Sequence, residues 1–138
     1  LLAPRCPVRQ DRAMTTLAYV LLALAALVHC YIFWLESFAW TSRKTRAIFG
    51  TTAEQAQTTK QLAYNQGFYN LFLAVGTAIA IVLGLTGHHP VSTAVALVSA
   101  GSMVAAALVL VLSDRSKLQP AAIQGVLPAL GLVALLLG

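Results

Sequence analysis

The sequence predicts an all-α protein: an integral membrane four-helix bundle with both termini on the non-cytoplasmic side. Three observations carry that prediction. The first is composition. Of 138 residues, 59% are hydrophobic and only 9% are charged, with a mean hydropathy of +0.79, whereas a soluble domain carries about 25% charged residues. Nine Lys+Arg and four Asp+Glu are too few to cover a water-facing surface. The second is the presence of four apolar runs near the length of about 20 residues that a spanning helix needs. The third is the uneven placement of Lys and Arg between those runs.

Taken in order, the chain begins with "LLAPRCPVRQDRA", residues 1–13. Rich in Arg and Pro, it differs from everything after it and precedes Met14. It is expected to be a disordered or non-native leader, the other reading being the charged n-region of a signal sequence or signal anchor. Residues 14–138 are expected to form a single domain. Its first helix covers about 17–40. The following connector is long enough to hold structure of its own. Gly50 falls where a helix would stop, and Thr51 with Glu54 has the spacing of a capping box, which predicts a helix starting near Thr52. The apolar part of that second helix covers about 61–85. Gly87 and Pro90 end and restart the chain before a third, uncharged helix over about 91–112. Pro120 precedes the fourth, about 121–137, in which Pro128 removes one helix hydrogen bond and predicts a kink.

The first and third connectors hold Arg43, Lys44, Arg46, Lys60, Arg115 and Lys117, while "TGHHP" and the C-terminus hold no Lys or Arg. The positive-inside rule therefore predicts that these two connectors face the cytoplasm in a multi-pass protein of the bacterial inner membrane. The net charge of +5 is explained by juxtamembrane basic residues beside an anionic leaflet. No basic patch interleaved with aromatics is present, so nucleic acid is not an expected partner. The lipid bilayer is, and a homo-oligomer is a further candidate. Cys6 and Cys30 form neither a disulfide framework nor a metal motif, and His88-His89 without carboxylates or thiols makes a poor metal site. No metal is expected.

The polar residues inside the runs are the informative ones. With a rise of 1.5 Å per residue, Glu36 lies about 6 Å inside the edge marked by Trp40; Asn65 and Gln124 lie about as deep from edges at Gln61 and Pro120. His29 and Asn70 lie deeper, at about 16 and 14 Å. Counting thus predicts a shallow polar layer (Glu36, Asn65, Gln66, Gln124) and a deeper one (His29, Asn70). His29, Phe33, Glu36 and Trp40 fall on one helical stripe, and Gln66 and Asn70 share a face of the second helix. Gly76, Ala80 and Gly84 recur at four-residue intervals, permitting close helix contact. An ionised carboxylate facing lipid is costly, so Glu36 must turn inward, be protonated or snorkel. Glu36 and His29 are the candidate catalytic, proton-handling residues. Tyr31, Trp40, Asn65, Gln66, Asn70 and Gln124 are the candidate ligand-binding set. The bland reading of the same residues is an inter-helix hydrogen-bond clasp; for Tyr31 it is an interfacial aromatic.

No glycine-rich phosphate loop, nucleophile elbow or HExxH motif is present. The segments "HCYIFWLESFAW", "IFG", "NQGFYN" and "IQGVLP", in that order, resemble the small bacterial membrane family called domain of unknown function 1304, over roughly residues 16–137. The resemblance implies four membrane helices and no established activity or cofactor. Its motif residues include His29, Tyr31, Glu36, Trp40, Asn65, Gln66, Gly67, Asn70, Gln124, Gly125 and Pro128. Three function classes follow. One is an intramembrane site binding or acting on a small lipophilic molecule such as a quinone. The second is a small proton-coupled transporter, and the third a structural or assembly subunit whose polar layer locks packing. The sequence does not decide whether the protein is an enzyme, and it names no cofactor.

Overall fold

The structure, a computed structural model, describes residues 11–138. Among these residues are five α-helices and one 3₁₀ turn, and no strand. The helices are α1 (Arg12–Phe38), α2 (Arg43–Phe49), α3 (Ala53–Leu85), α4 (His89–Ser113) and α5 (Leu118–Leu137), with a 3₁₀ turn at Arg115–Lys117. Four stretches, containing α1, α3, α4 and α5, are long and apolar enough to cross a membrane. The expectation for the leader falls mostly on residues 1–10, which lie outside the described residues. Arg12 and Ala13 are already helical, because the Asp11 carboxylate accepts from the Ala13 N–H at 3.0 Å and caps α1 there.

The connector between α1 and α3 does hold a helix. Ser42 caps the start of α2, accepting from the Thr45 N–H. Gly50 ends it in the left-handed region (φ 64°), a conformation open to glycine at little cost. The capping box at the start of α3 is shifted by one residue from the sequence expectation. Thr52 and Gln55 form it, not Thr51 and Glu54: the Thr52 hydroxyl accepts from the Gln55 N–H at 3.1 Å and the Gln55 side-chain Oε1 from the Thr52 N–H at 2.9 Å. The cause is the closure of α2. Thr51 donates its own N–H back to the Arg46 carbonyl at 3.0 Å, so Thr52 is the first residue free to open the next helix. Glu54 is left in the first turn of α3, where its charge complements the helix N-terminus.

Each long helix packs against two neighbours, in the ring α1–α3–α4–α5–α1, with little contact across the diagonals. Neighbours run antiparallel, as short connections dictate. Small residues set the seams. Gly67 of α3 lies against Phe33 and Ser37 of α1; a Cβ there would sit 2.9 Å from the Phe33 carbonyl oxygen. Gly125 of α5 faces Ala107 of α4, and Gly131 of α5 faces Leu22 of α1. The Gly76-Ala80-Gly84 stripe makes the close contact expected of it. Gly76 meets Ser99 of α4, the Ala80 carbonyl accepts from the Ser92 hydroxyl at 2.6 Å, and Gly84 meets Tyr19 and Ser92. The apolar core, with Leu22, Ala80, Ala96, Ala100 and Met103 at its centre, fills the half of the bundle nearer the two termini.

These contacts generate a paired expectation. Gly67→Ala forces α1 and α3 apart and should cost about 1–3 kcal/mol, the usual range for overpacking. Gly101→Ala has open space around the new methyl group and should be stabilising by about 0.5–1 kcal/mol. Titration with denaturing detergent, followed by circular dichroism, checks both; equal responses of the two variants would contradict the seam.

Candidate functional site

Glu36 and Asn70 are buried, at 8% and 5% exposure, and face each other from α1 and α3. Asn70 Nδ2 donates to Glu36 Oε2 at 2.7 Å and to the Gln66 carbonyl at 3.2 Å. A bond this short to a carboxylate lies among the stronger hydrogen bonds that proteins make. Gly67 explains how it forms. Because that position carries no side chain, the two backbones approach closely enough for a glutamate and an asparagine to meet without water between them.

The pair borders a cavity of about 540 Å³, within the range that holds a small organic molecule. Gln66 and Asn70 line it from α3, and Ala106, Val109 and Leu110 from α4. Gln124 and Pro120 close it from α5. Trp40, Phe49, Thr51 and Lys117 cover its end. A second, more open groove of about 850 Å³ shares Glu36, Trp40, Thr51, Gln66 and Lys117, and adds Asn65 and Tyr69 on the outer side of α3.

Apart from Trp40, the cover is built from residues that the sequence alone did not place at the site. Lys117 Nζ donates to the carbonyls of Phe49 at 2.6 Å and Gly50 at 3.2 Å, satisfying the C-terminal carbonyls of α2 and tying them to the start of α5. Trp40 stacks at a tilt on Phe49, with centroids 5.1 Å apart, and its Nε1 donates to Thr59 Oγ1 at 3.0 Å. Beside Lys117, the hydroxyl and then the backbone N–H of Ser116 hold the Asp114 carboxyl below the usual carboxylate range. The signals were a lysine three residues before a proline and the "IFG" segment, whose role needs the fold to be seen.

Of the sequence candidates, Glu36, Asn70, Gln66, Gln124 and Trp40 line one cavity, and Asn65 joins the adjoining groove. Tyr31 is not among them. It is exposed on the outer face, stacked on Trp34 with Lys44 Nζ 6.0 Å from its ring centroid. His29 is fully buried and does not line the cavity. Its Nδ1 donates to the Ala25 carbonyl at 2.9 Å, which leaves Nε2 as an acceptor, buried and without a partner. The layers also regroup. Glu36 pairs with the supposedly deeper Asn70, because Trp40 falls past the end of α1 and bonds to Thr59, not to the level of Gln61. Gly138 packs on Thr15 and Gly131 on Leu22; continued by seven residues, that register brings Gln124 level with His29. Pro128 matters here as well. Lacking an N–H, it cannot donate to the Gln124 carbonyl one turn earlier. Among the described residues no three His, Cys, Asp or Glu side chains gather as a metal ion would require.

With this geometry in view, comparison with known proteins is informative. The family profile "Protein of unknown function (DUF1304)" matches residues 23–136. A relative, "Uncharacterized protein YpaA" of Lactococcus lactis subsp. lactis (strain IL1403), is 37% identical over 70 residues, which is 49% of this chain and 59% of that protein. The match thus spans less than two thirds of the relative's length. No solved structure matches.

Asn70→Ala leaves the Glu36 carboxyl buried without its donor and should cost about 1–3 kcal/mol of stability. Glu36→Gln keeps an acceptor for Asn70 and should cost less. Equal losses in the two variants, measured by detergent-titrated unfolding, would show that the pair is not a directional hydrogen bond.

Proposed function

The chain belongs to the DUF1304 family, and from that premise we propose that it is a multi-pass cell-membrane protein whose cavity beside Glu36 binds, and acts on, a small lipophilic molecule. The four apolar stretches cross the bilayer, with the Trp40 end facing the cytoplasm and both termini facing away from it. Supporting this orientation, Arg43, Lys44, Arg46, Arg115 and Lys117 all belong to α2 or the 3₁₀ turn, where the positive-inside rule wants them.

The observation that carries the functional reading is a buried carboxyl lining a cavity of about 540 Å³. A carboxyl within a membrane segment is a functional-site hypothesis by default, since a purely structural bundle gains little from it. Glu36 is the proton-handling group. Asn70 orients it, Gln66 and Gln124 offer amides, and Trp40 supplies an aromatic wall. The competing reading is a packing clasp, favoured by the direct Glu36–Asn70 bond. A clasp alone has no use for the cavity beside it.

Two experiments test this reading. Small molecules that co-purify with the protein in nanodiscs are identified by mass spectrometry, for wild type, Glu36→Gln and Asn70→Ala, each checked for intact folding. One defined compound, enriched in wild type and depleted at least tenfold in the variants, is expected. Bulk lipid alone in all three would leave the clasp. For orientation, alkaline phosphatase fused after Gly138 should be active in bacterial cells and a fluorescent protein fused there dark; the reverse pattern would refute the assignment.

A further inference from the structure

Glycines close the seams of the bundle at particular levels. Gly67 zips α1 to α3 at the level of Ser37, Gly125 zips α5 to α4, and Gly131 zips α5 to α1. In the α3–α4 seam the small-residue contacts gather in the part nearer the chain termini. From Gly84 and Ser92 to Gly76 and Ser99 it is held by small-residue contacts, by the Ser92 hydroxyl on the Ala80 carbonyl, and by Thr77 Oγ1 on Ser99 Oγ at 3.1 Å. Beyond Ser99 the contact changes character. Asn70 turns toward Glu36 on α1 instead of toward α4, and the cavity lies between Gln66 and Asn70 on one side and Ala106 and Val109 on the other. Gln66 and Ala106 are exposed, and Val109 is 67% exposed, so this part of the seam opens sideways. In the proposed membrane setting, sideways means into lipid.

The groups behind the opening also state what they want. Glu36 carries a carboxyl. Gln66 and Gln124 carry side-chain amides, each of which both donates and accepts. Such a wall suits a head that also does both, as a hydroxyl does. Lys117 and Glu36 both line the cavity and cancel in formal charge, so the site carries no net charge for an ionic head to neutralise. At the seam itself the walls are Ala106, Val109 and Leu110, which suit an alkyl chain.

We propose that the α3–α4 seam between Gln66 and Val109 is a lateral portal through which a single-chain amphiphile with an uncharged hydroxyl head enters from the bilayer, placing its head beside Glu36 and Gln124 and its chain between Ala106 and Val109. The proposal rests on the binding-site reading above and adds the route and the chemical class.

The test uses a dibrominated monoacylglycerol, whose bromines quench a nearby tryptophan. The protein carries Trp34→Phe, which leaves Trp40, at the cavity, as its one tryptophan, and is held in nanodiscs. Saturable quenching, competed by the unbrominated monoacylglycerol, is expected. Ala106→Phe should weaken it at least tenfold, while Leu130→Phe, on the exposed face of α5, should leave it unchanged. Saturable quenching indifferent to Ala106→Phe would overturn the portal and leave the cavity reading standing. Saturable quenching by dibrominated phosphatidylcholine of equal strength would overturn the hydroxyl-head class. Quenching that never saturates with either lipid, or is not competed, would overturn the proposal and the binding-site reading together.

Discussion

The hydrogen bond between Asn70 Nδ2 and Glu36 Oε2 is the contact on which the Trp40 half of the bundle depends. Together with the Ser37 hydroxyl, which donates to the Tyr64 carbonyl at 3.0 Å, it pins α1 against α3. A buried carboxyl is expensive to keep without a partner. The sequence solves this with one asparagine, and Gly67 brings the two backbones close enough for it to reach. The other half of the bundle is held differently, by Leu22, Met103 and a group of alanines packed without charge. One end is thus a close-packed small-residue core, and the other is polar, hollow and covered.

That division has a physical logic. Small residues permit close helix approach, and close approach at one end allows the helices to part at the other without losing the bundle. The hollow end then needs a cover. The chain provides it with α2, whose last carbonyls would be unsatisfied were Lys117 not donating to two of them. A single lysine therefore closes the end of one helix, ties two distant segments together and brings a positive charge to the cavity that Glu36 also lines. In the proposed orientation the same residue also contributes to the positive-inside asymmetry.

Much of this was legible in the sequence, and the limits of legibility have physical causes. Composition and run length were enough for four apolar helices, and position along the apolar runs was enough to single out Glu36, Asn70, Gln66 and Gln124. Those signals survive because a polar residue within an apolar run is rare and costly. Depth counting did not predict which of them pair. It assumed that Trp40, Gln61 and Pro120 lie level, whereas α1 ends before Trp40, and α3 and α5 begin before the residues chosen as their edges. The one-residue shift of the capping box has a similar origin: Thr51 spends its N–H on closing α2, and no local spacing reveals that. Lys117 was read only as a charge, since its acceptors lie in a segment far away in the chain. Tyr31 shares a helix with Glu36 but points outward, a fact that seam geometry decides.

The central claim is that Glu36 is held by Asn70 inside the bundle, beside a space that a ligand can enter. Magic-angle-spinning NMR in lipid bilayers addresses it most directly, by measuring the dipolar coupling between ¹⁵N in the Asn70 side-chain amide and ¹³C in the Glu36 carboxyl. The account predicts strong dephasing, as a donor–acceptor distance of 2.7 Å requires. Dephasing no greater than that from isolated spins would contradict it, since Glu36 would then be solvated elsewhere and the cavity would lose the group that gives it its chemistry.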